Sequence, residues 1–317
     1  MFASFSQNSV LVSGSDDGTI RVWDCERASY ETTLRGHTNA VTSVDFAPPA
    51  GGVSLLASAS SDTSVKIWQP SFNAISSDEG SSSGVGSASS DDAATSVAET
   101  ACKRTLMGHD HTVSCVRFAS ATMLASASRD GTTKLWDTET GFCLRTLHGH
   151  DGWVRSVSVG TTGEHQLVAT GGQDKTVRLW ALDGSSTTPI AVLGGHENVV
   201  ETVCFAQMDG QPVVVSGSRD KTLRVWNLRT MTCEVVLDAH ENWVRALATV
   251  PGVPSFLCSA GNDKSVLCWD LNERRCIRTL KNTHKQFVVA LALCPTHGHL
   301  ATGSDDSTVK LWDAASF

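Results

Sequence analysis

Short apolar runs separated by polar turn residues recur along the whole chain. The runs at residues 154–159, 167–171 and 176–180 are typical, since each is rich in β-branched side chains and is bounded by Gly or Asp. No stretch keeps the spacing of an amphipathic helix long enough to favour a helical interpretation. The pattern therefore predicts an all-β protein built from many short strands.

One phrase of seven residues, starting with Asp and ending with Trp, closes a strand in every repeat of this pattern. Its tryptophans are Trp23, Trp68, Trp136, Trp180, Trp226, Trp269 and Trp312, and successive ones lie 45, 68, 44, 46, 43 and 43 residues apart. A period of about 43 residues, with about four strands per repeat, is typical of WD repeats in β-propellers. We therefore predict a seven-bladed WD40 β-propeller that takes residues 1–317 as a single domain.

A His, a Ser or Thr, an Asp and a Trp recur together in these repeats. A His precedes the first strand of six repeats, at His37, His109, His150, His196, His240 and His284. Hydrolase triads use the same residue types, but a catalytic site is built once, whereas this set occurs six times. We interpret the set as a structural hydrogen-bond network within each blade and predict that the chain is not an enzyme.

Charge, hydropathy and cysteine content exclude several classes of function and of binding site. The formal net charge of −8 argues against general affinity for nucleic acid, and no apolar run approaches the length of a membrane span. None of the ten cysteines belongs to a Cys-x-x-Cys pair, and Cys102, Cys143, Cys233 and Cys276 occupy one equivalent repeat position. We expect these four to be small buried hydrophobes in a reducing cytosol, and we expect no metal site and no cofactor.

The segment 71–101 departs from the repeat pattern. It is rich in Ser, Ala and Gly, contains five acidic residues and no basic residue, and accounts for the 68-residue interval. Such a composition cannot bury a core. We therefore predict a disordered insertion in the second blade, between its third strand and its outermost strand.

The first and last repeats raise the question of how the ring closes. Residues 1–6 are predicted to be the end of a first strand, and the phrase ending at Trp312 is predicted to be a third strand. A WD repeat supplies three strands to one blade and the outermost strand to the preceding blade, so the last blade has no donor. We expect the last blade to lack its outer strand and an N-terminal segment that would close the ring to be missing.

Two sets of equivalent positions flank the His-bearing loops, and their residues change from blade to blade. One set directly precedes the phrase Asp, and the other brackets the first Val after the His loop. The first two blades have small or acidic residues there, whereas later blades have large or basic residues at or beside these positions: Arg129, Trp153, Arg155, Arg219, Trp243, Arg245, Lys264 and Phe287. Trp and Arg dominate interface energetics, at about 2 kcal/mol or more each when buried at a contact. We predict that these eight residues form a partner-binding face.

The phrases around these residues resemble the lissencephaly-1 (Lis1) proteins. Three phrases carry much of the likeness: Gly-His-Asp-Gly-Trp-Val-Arg at 149–155, Ser-Gly-Ser-Arg-Asp-Lys-Thr at 216–222 and His-Glu-Asn-Trp-Val-Arg at 240–245. The resemblance extends over nearly the whole chain and implies a platform that binds the heavy chain of the cytoplasmic dynein motor. It also implies which residues make the contact: Arg129, Arg155, Arg219, Trp243 and Lys264, with Trp153 and Arg245 in the same ring.

The resemblance implies a cellular role and leaves alternative partners open. Lis1 proteins act in microtubule-based transport, nuclear positioning and mitosis, which implies a location in the cytoplasm and on the cytoskeleton. They also occur as non-catalytic subunits of a platelet-activating factor acetylhydrolase, so the catalytic subunits of that enzyme are a second implied partner. The remaining alternatives are a ribonucleoprotein scaffold and a substrate receptor of a ubiquitin ligase, although no ligase-recruiting motif is visible.

Overall fold

Strands that follow one another along the chain pair antiparallel in every sheet of the computed structural model. The structure describes residues 2–5, 10–26, 29–48, 55–70, 102–163, 165–238, 240–250, 253–294 and 298–313. Within these ranges, 27 strands form seven sheets, six with four strands and one with three. The same ranges contain no helix with the length and apolar character needed to cross a membrane.

The first four sheets, here called blades 1–4, are ordered as the chain runs. Blade 1 contains β1 (Phe2–Phe5), β2 (Val10–Gly14), β3 (Ile20–Asp24) and β4 (Ser29–Leu34). Blade 2 contains β5 (Val41–Phe46), β6 (Leu56–Ser60), β7 (Val65–Trp68) and β8 (Cys102–Leu106). Blade 3 contains β9 (Val113–Phe118), β10 (Met123–Ser128), β11 (Thr132–Asp137) and β12 (Cys143–His148). Blade 4 contains β13 (Val154–Thr162), β14 (His165–Gly172), β15 (Val177–Ala181) and β16 (Ala191–Leu193).

Blades 5–7 continue the same order. Blade 5 contains β17 (Val200–Met208), β18 (Gln211–Ser218), β19 (Thr222–Asn227) and β20 (Thr232–Asp238). Blade 6 contains β21 (Val244–Val250), β22 (Val253–Gly261), β23 (Val266–Asp270) and β24 (Arg275–Leu280). Blade 7 contains β25 (Val288–Leu293), β26 (His299–Ser304) and β27 (Val309–Asp313).

The first strand of each blade contacts the first strand of the next blade, and β25 of blade 7 contacts β1 of blade 1. These innermost strands therefore form a closed ring around a central channel, and the sheets radiate from it. The prediction of a seven-bladed β-propeller is confirmed.

Apolar residues of adjacent blades pack against each other to form the core. Between blades 1 and 2, for example, Val12 and Ile20 lie in one buried cluster with Val41, Leu56 and Trp68. The phrase tryptophans of blades 2–6 are no more than 2% exposed. The large indole of each repeat is thus used to fill the space between two sheets, which explains why the phrase ends in Trp.

The sheets also locate the insertion point and the strands of the first and last repeats. β7 and β8 lie in the same sheet, so the chain between them joins the third strand of blade 2 to its outermost strand, and the insertion predicted at 71–101 lies outside the described residues. Phe2–Phe5 form the innermost strand of blade 1, paired with β2. Among the described residues, no fourth strand pairs with β27, as expected for the last blade.

The expectation for the four equivalent cysteines was partly wrong. Each lies opposite the phrase Trp, on the outermost strand of its blade, at Cys102, Cys143, Cys233 and Cys276. None is buried, and Cys143 is exposed to solvent, because an outermost strand has a neighbouring strand on one side only. Each thiol instead bonds the carbonyl oxygen two residues further along the chain, at 3.2–3.5 Å.

Candidate partner-binding face

Blades 2–7 each contain a hydrogen-bonded set of His, Ser or Thr, Asp and Trp, and blade 5 is typical. The ring of His196 bonds Asp220 through Nδ1 and Ser216 Oγ through Nε2, both at 2.7 Å. The indole N–H of Trp226 donates to the same Ser216 oxygen at 2.8 Å. The Asp220 carboxylate can only accept a hydrogen bond, so the His196 ring carries its proton on Nδ1 and donates it there. The unprotonated Nε2 then accepts a hydrogen bond from the Ser216 hydroxyl. We call each such set a tetrad.

Hydrogen bonding keeps the tetrad Asp ionised. Burial alone would raise the pKa of Asp62, but hydrogen bonds from Ser64, His37 and Thr38 outweigh burial and lower this pKa to about 2. The same balance lowers the pKa of Asp263 to about 2. Burial lowers the pKa of His37, although its bond to Asp62 opposes the change. In blade 2 the tetrad is therefore a neutral His37 ring between a hydroxyl and a carboxylate.

The tetrads are unsuited to nucleophilic catalysis. Their hydroxyl groups belong to Ser58, Ser126, Thr170, Ser216, Ser259 and Thr302, and each of these residues is 0% exposed. Each hydroxyl is also occupied by an indole N–H as well as by the His ring. A substrate carbonyl has no route to such an oxygen. Among the described residues, no cluster of His, Cys, Asp and Glu could hold a metal ion either.

The two sets of positions singled out in the sequence lie side by side on the face that carries the His loops. In six blades, the backbone N–H of the residue before the phrase Asp donates to the carbonyl of the residue before the first Val. The pairs are Ser61 with Ala40, Arg129 with Thr112, Gln173 with Trp153, Arg219 with Val199, Asn262 with Trp243, and Asp305 with Phe287. Because these bonds use backbone atoms only, they hold the positions together whatever the side chains are.

A β-bulge re-aims a further side chain in each of these blades. The pairing register of the innermost strand skips the residue after its first Val. The skipped residues are Thr42, Ser114, Arg155, Glu201, Arg245 and Val289. A bulge residue leaves the ladder of hydrogen bonds, and its side chain is re-aimed. The bulge thus explains how Arg155 and Arg245 leave the sheet.

Blades 3 and 4 together form a stack of one indole and two guanidinium groups. The guanidinium carbons of Arg129 and Arg155 each lie 4.9 Å from the ring centroid of Trp153. The ring of His111 lies 6.2 Å from Trp153 in a tilted arrangement. Trp153 is half-buried and reaches solvent, so it does not serve as a filler between two sheets. Two cations around one indole give this part of the face both charge and apolar area.

Blades 5 and 6 form a second stack beside the first. The guanidinium carbon of Arg219 lies 4.2 Å from the ring centroid of Trp243. Arg219 Nε bonds Glu201 Oε1 at 2.5 Å, and Arg245 Nη1 lies 3.9 Å from Glu201 Oε2. Gly261 supports this arrangement, because a Cβ at that position would come within 2.1 Å of the Trp243 carbonyl oxygen. Glu201 therefore holds the arginines of two blades in place.

Positive charge predominates around the two stacks. Four arginines, Arg129, Arg155, Arg219 and Arg245, share the single carboxylate of Glu201 in this group. Burial lowers the pKa of Arg155 first, and the three neighbouring arginines lower it further, against the attraction of Glu201. This cluster of arginines is complementary to carboxylates of a partner.

The two remaining candidates lie toward blade 7. Lys264 follows the phrase Asp of blade 6 in a tight turn, with a positive φ of 63°. Phe287 is 39% exposed, and its carbonyl oxygen accepts the N–H of Asp305. All eight residues predicted for the face thus belong to loops, turns or bulges at the His-bearing end of blades 3–7.

Glu201 and His111 are site residues that sequence reasoning did not single out. Glu201 occupies the same bulge position as Arg155 and Arg245, and this equivalence was the available signal. A prediction based on basic and aromatic residues does not include Glu201, because its side chain is acidic. His111 has no equivalent aromatic in the other repeats, so only the contact with Trp153 identifies it.

Comparison with known proteins identifies a family and relatives whose sequences are similar to this chain. The family model described as "WD domain, G-beta repeat" matches residues 2–24, 28–69, 100–137, 141–181, 187–227, 231–270 and 274–313. The chain is 37% identical to the "Nuclear distribution protein PAC1" of Arthroderma benhamiae over 91% of its own length and 62% of that protein. It is 38% identical to the "Nuclear distribution protein nudF 1" of Talaromyces marneffei, over 91% of its length and 61% of that protein. The chain thus spans less than two thirds of the length of these relatives.

Proposed function

Since this chain belongs to the WD40 repeat family, we propose that it is a non-catalytic interaction platform whose Arg/Trp face docks on an acidic surface of the dynein motor. The repeat model covers most of the chain. The similarity of the chain to nuclear distribution proteins favours the dynein motor as partner over the other roles of WD proteins. The inaccessible tetrad hydroxyls support a binding role without catalysis.

The two neighbouring Arg–Trp stacks are the observation that carries the proposal. They bring Trp153 and Trp243 to one end of the propeller, each covered by at least one guanidinium group. Half-buried indoles with stacked arginines are preorganised, so docking orders few side chains, and the arginines pair bidentately with carboxylates. Lys264 and Phe287 extend the same face toward blade 7.

Docking on the motor would bias its conformational cycle and so regulate microtubule-based transport, nuclear positioning and mitosis. The location consistent with this role is the cytoplasm, in association with microtubules. Attraction between a basic face and an acidic motor surface also makes the association rate depend on salt concentration.

The test measures binding of the purified chain to a dynein motor domain by biolayer interferometry. We expect Arg219→Ala and Trp243→Ala each to weaken binding about 30-fold, which corresponds to about 2 kcal/mol for a central contact. Both variants should keep the all-β circular dichroism spectrum, because the substituted side chains lie outside the buried core.

Ser61→Ala is the matched control. Ser61 holds the position of Arg219 in blade 2, with the same backbone hydrogen bond, and does not belong to the two stacks. The affinity of this variant for the motor should equal that of the wild type. Unchanged affinity after Arg219→Ala and Trp243→Ala, with intact folding, would reject the proposed face.

A further inference from the structure

A cavity of about 70 Å³ lies on the propeller axis, between the innermost strands. Residues of β5, β9, β13, β17, β21 and β25 line it, so six of the seven blades contribute to one space. At about 10–15 Å³ for each water molecule, such a cavity accommodates several waters or one small polyatomic ion.

The lining of this cavity is basic. It includes Arg117, Arg155 and Arg245, and none of the described lining residues is acidic. Glu201 does not compensate fully, because one of its oxygens bonds Arg219 at 2.5 Å and the other lies 3.9 Å from Arg245. Arg117 also interacts electrostatically with the buried Asp45, so the three guanidinium groups face only two carboxylates, those of Asp45 and Glu201.

Hydroxyl groups accompany the arginines, and one of them has no partner. Ser43 Oγ accepts a hydrogen bond from Arg117 Nη1 at 3.3 Å. Ser114 Oγ is buried, lines the cavity and has no hydrogen-bond partner among the described residues, and the same holds for Arg155 Nε. Buried polar atoms are nearly always hydrogen-bonded, so unsatisfied donors beside three cations indicate that a ligand rich in acceptors belongs there.

We propose that this cavity binds one small tetrahedral oxyanion of the orthophosphate type, held by Arg117, Arg155 and Arg245 and by the Ser114 hydroxyl. Guanidinium groups pair bidentately with such oxyanions, and the bound charge offsets the repulsion among the arginines. Arg155 and Arg245 also belong to the candidate partner-binding face, whereas Arg117 and Ser114 do not, so variants of Arg117 and Ser114 test the cavity separately from motor binding.

The test is isothermal titration calorimetry of the whole chain with orthophosphate, combined with thermal unfolding in phosphate and in chloride of equal ionic strength. We expect saturable binding of one phosphate per chain and a Tm that rises with phosphate but not with chloride. Ser114→Val replaces the unpartnered hydroxyl with a branched apolar side chain inside the cavity and should weaken binding about tenfold or more. Arg117→Met should weaken it at least as much.

Lys175→Gln is the matched control, because Lys175 is an exposed base in the phrase turn of blade 4 and does not line the cavity. Its phosphate affinity should stay within about twofold of the wild type, since the bound ion is screened from exposed charges. The absence of saturable binding, an equal rise in Tm in chloride, or equal losses in Lys175→Gln and Ser114→Val would each overturn the proposal. If Arg117→Met does not fold, Ser114→Val decides alone.

Inositol hexakisphosphate, as a second titrant, separates a free ion from phosphoryl groups on a larger molecule. It is too large for the cavity, so any binding to the basic face should be unaffected by Ser114→Val. A loss of that binding in Ser114→Val would overturn the assignment to a free ion.

Discussion

Arg219 and Asp220 are neighbours in the chain, yet they belong to two regions that follow different rules. Asp220 is part of a tetrad, and the same four residue types, with Thr in place of Ser in two blades, occur in blades 2–7 with nearly the same distances. Arg219 lies on the partner-binding face, where the equivalent residue differs in almost every blade. Two adjacent residues of the chain therefore belong to different regions: a buried layer that repeats in blades 2–7, and a surface whose side chains differ from blade to blade.

The difference arises from which atoms satisfy the local hydrogen bonds. In a tetrad, side chains bond to side chains in a buried space, so replacing one member leaves others without a partner. On the face, the recurring bond joins two backbone groups, and the side chains are free to differ. Repetition therefore marks structure in this protein, and departure from repetition marks the positions that we propose for partner binding.

Acidification should abolish the contribution of all tetrads together and is the largest expected effect. The pKa values of Asp62 and Asp263 fall from 3.8 to about 2 in the folded state, and the other tetrad carboxyl groups shift in the same direction. Between these values the unfolded chain binds more protons, so the stabilisation present above 3.8 is lost as pH falls through about 2. The lowered pKa of His37 adds a loss that begins below 6.5.

The free energy of urea unfolding, followed by tryptophan fluorescence at a series of pH values, measures this effect. The curve should fall most steeply below 3.8. A free energy of unfolding that stays constant down to pH 2 would mean that the tetrads do not act as a stabilising layer.

A single tetrad substitution should have the next largest effect. Asp220 accepts hydrogen bonds from His196, from Thr222 and from the N–H of Glu197. Asp220→Ala leaves several of these buried donors without an acceptor and should lower the free energy of unfolding by about 3 kcal/mol. Chemical denaturation of the variant and the wild type gives this difference directly.

Asp17→Ala is the control for that substitution. Asp17 holds the same phrase position in blade 1, but its side chain is 49% exposed and it bonds mainly to Thr19. Its replacement should cost about 1 kcal/mol. An equal loss from both substitutions would show that the phrase turn, and not the tetrad, supplies the stability.

Arg129→Ala should change stability least. Its guanidinium group contributes one half-exposed cation–π contact with Trp153, so the free energy of unfolding should fall by about 0.5–1 kcal/mol. Binding to the motor domain should nevertheless weaken clearly. A variant that loses as much stability as Asp220→Ala would place Arg129 with the structural layer.

The sequence predicted the architecture well because the repeat encodes it. The Asp-to-Trp phrase occurs in every blade and the preceding His in blades 2–7, and the resemblance to Lis1 proteins agrees with the nuclear distribution relatives. The sequence also predicted that these variable positions lie at the His-bearing end, since equivalent positions share one end of a propeller. Whether these residues bind the motor remains a proposal.

Contacts between blades could not be predicted in the same way. The pairing of Glu201 with Arg219 and Arg245 depends on side-chain conformations and on the distance between neighbouring sheets, which a single repeat does not specify. The prediction that Cys143 is buried was wrong for a related reason. Its place in the repeat identifies the strand it belongs to, but not which residues of other strands or loops pack over that strand.

The meeting of blade 1 with blade 7 has a kinetic consequence. Leu11 and Cys25 pack with Ala292 and Ala301, so this cluster joins residues about 280 positions apart in the chain. Every other pair of neighbouring blades is adjacent in sequence and closes a much shorter loop. Contacts between such distant residues form only after the entropy cost of closing a long loop has been overcome. We therefore expect blades 1 and 7 to pack against each other last, after the other neighbouring blades have packed.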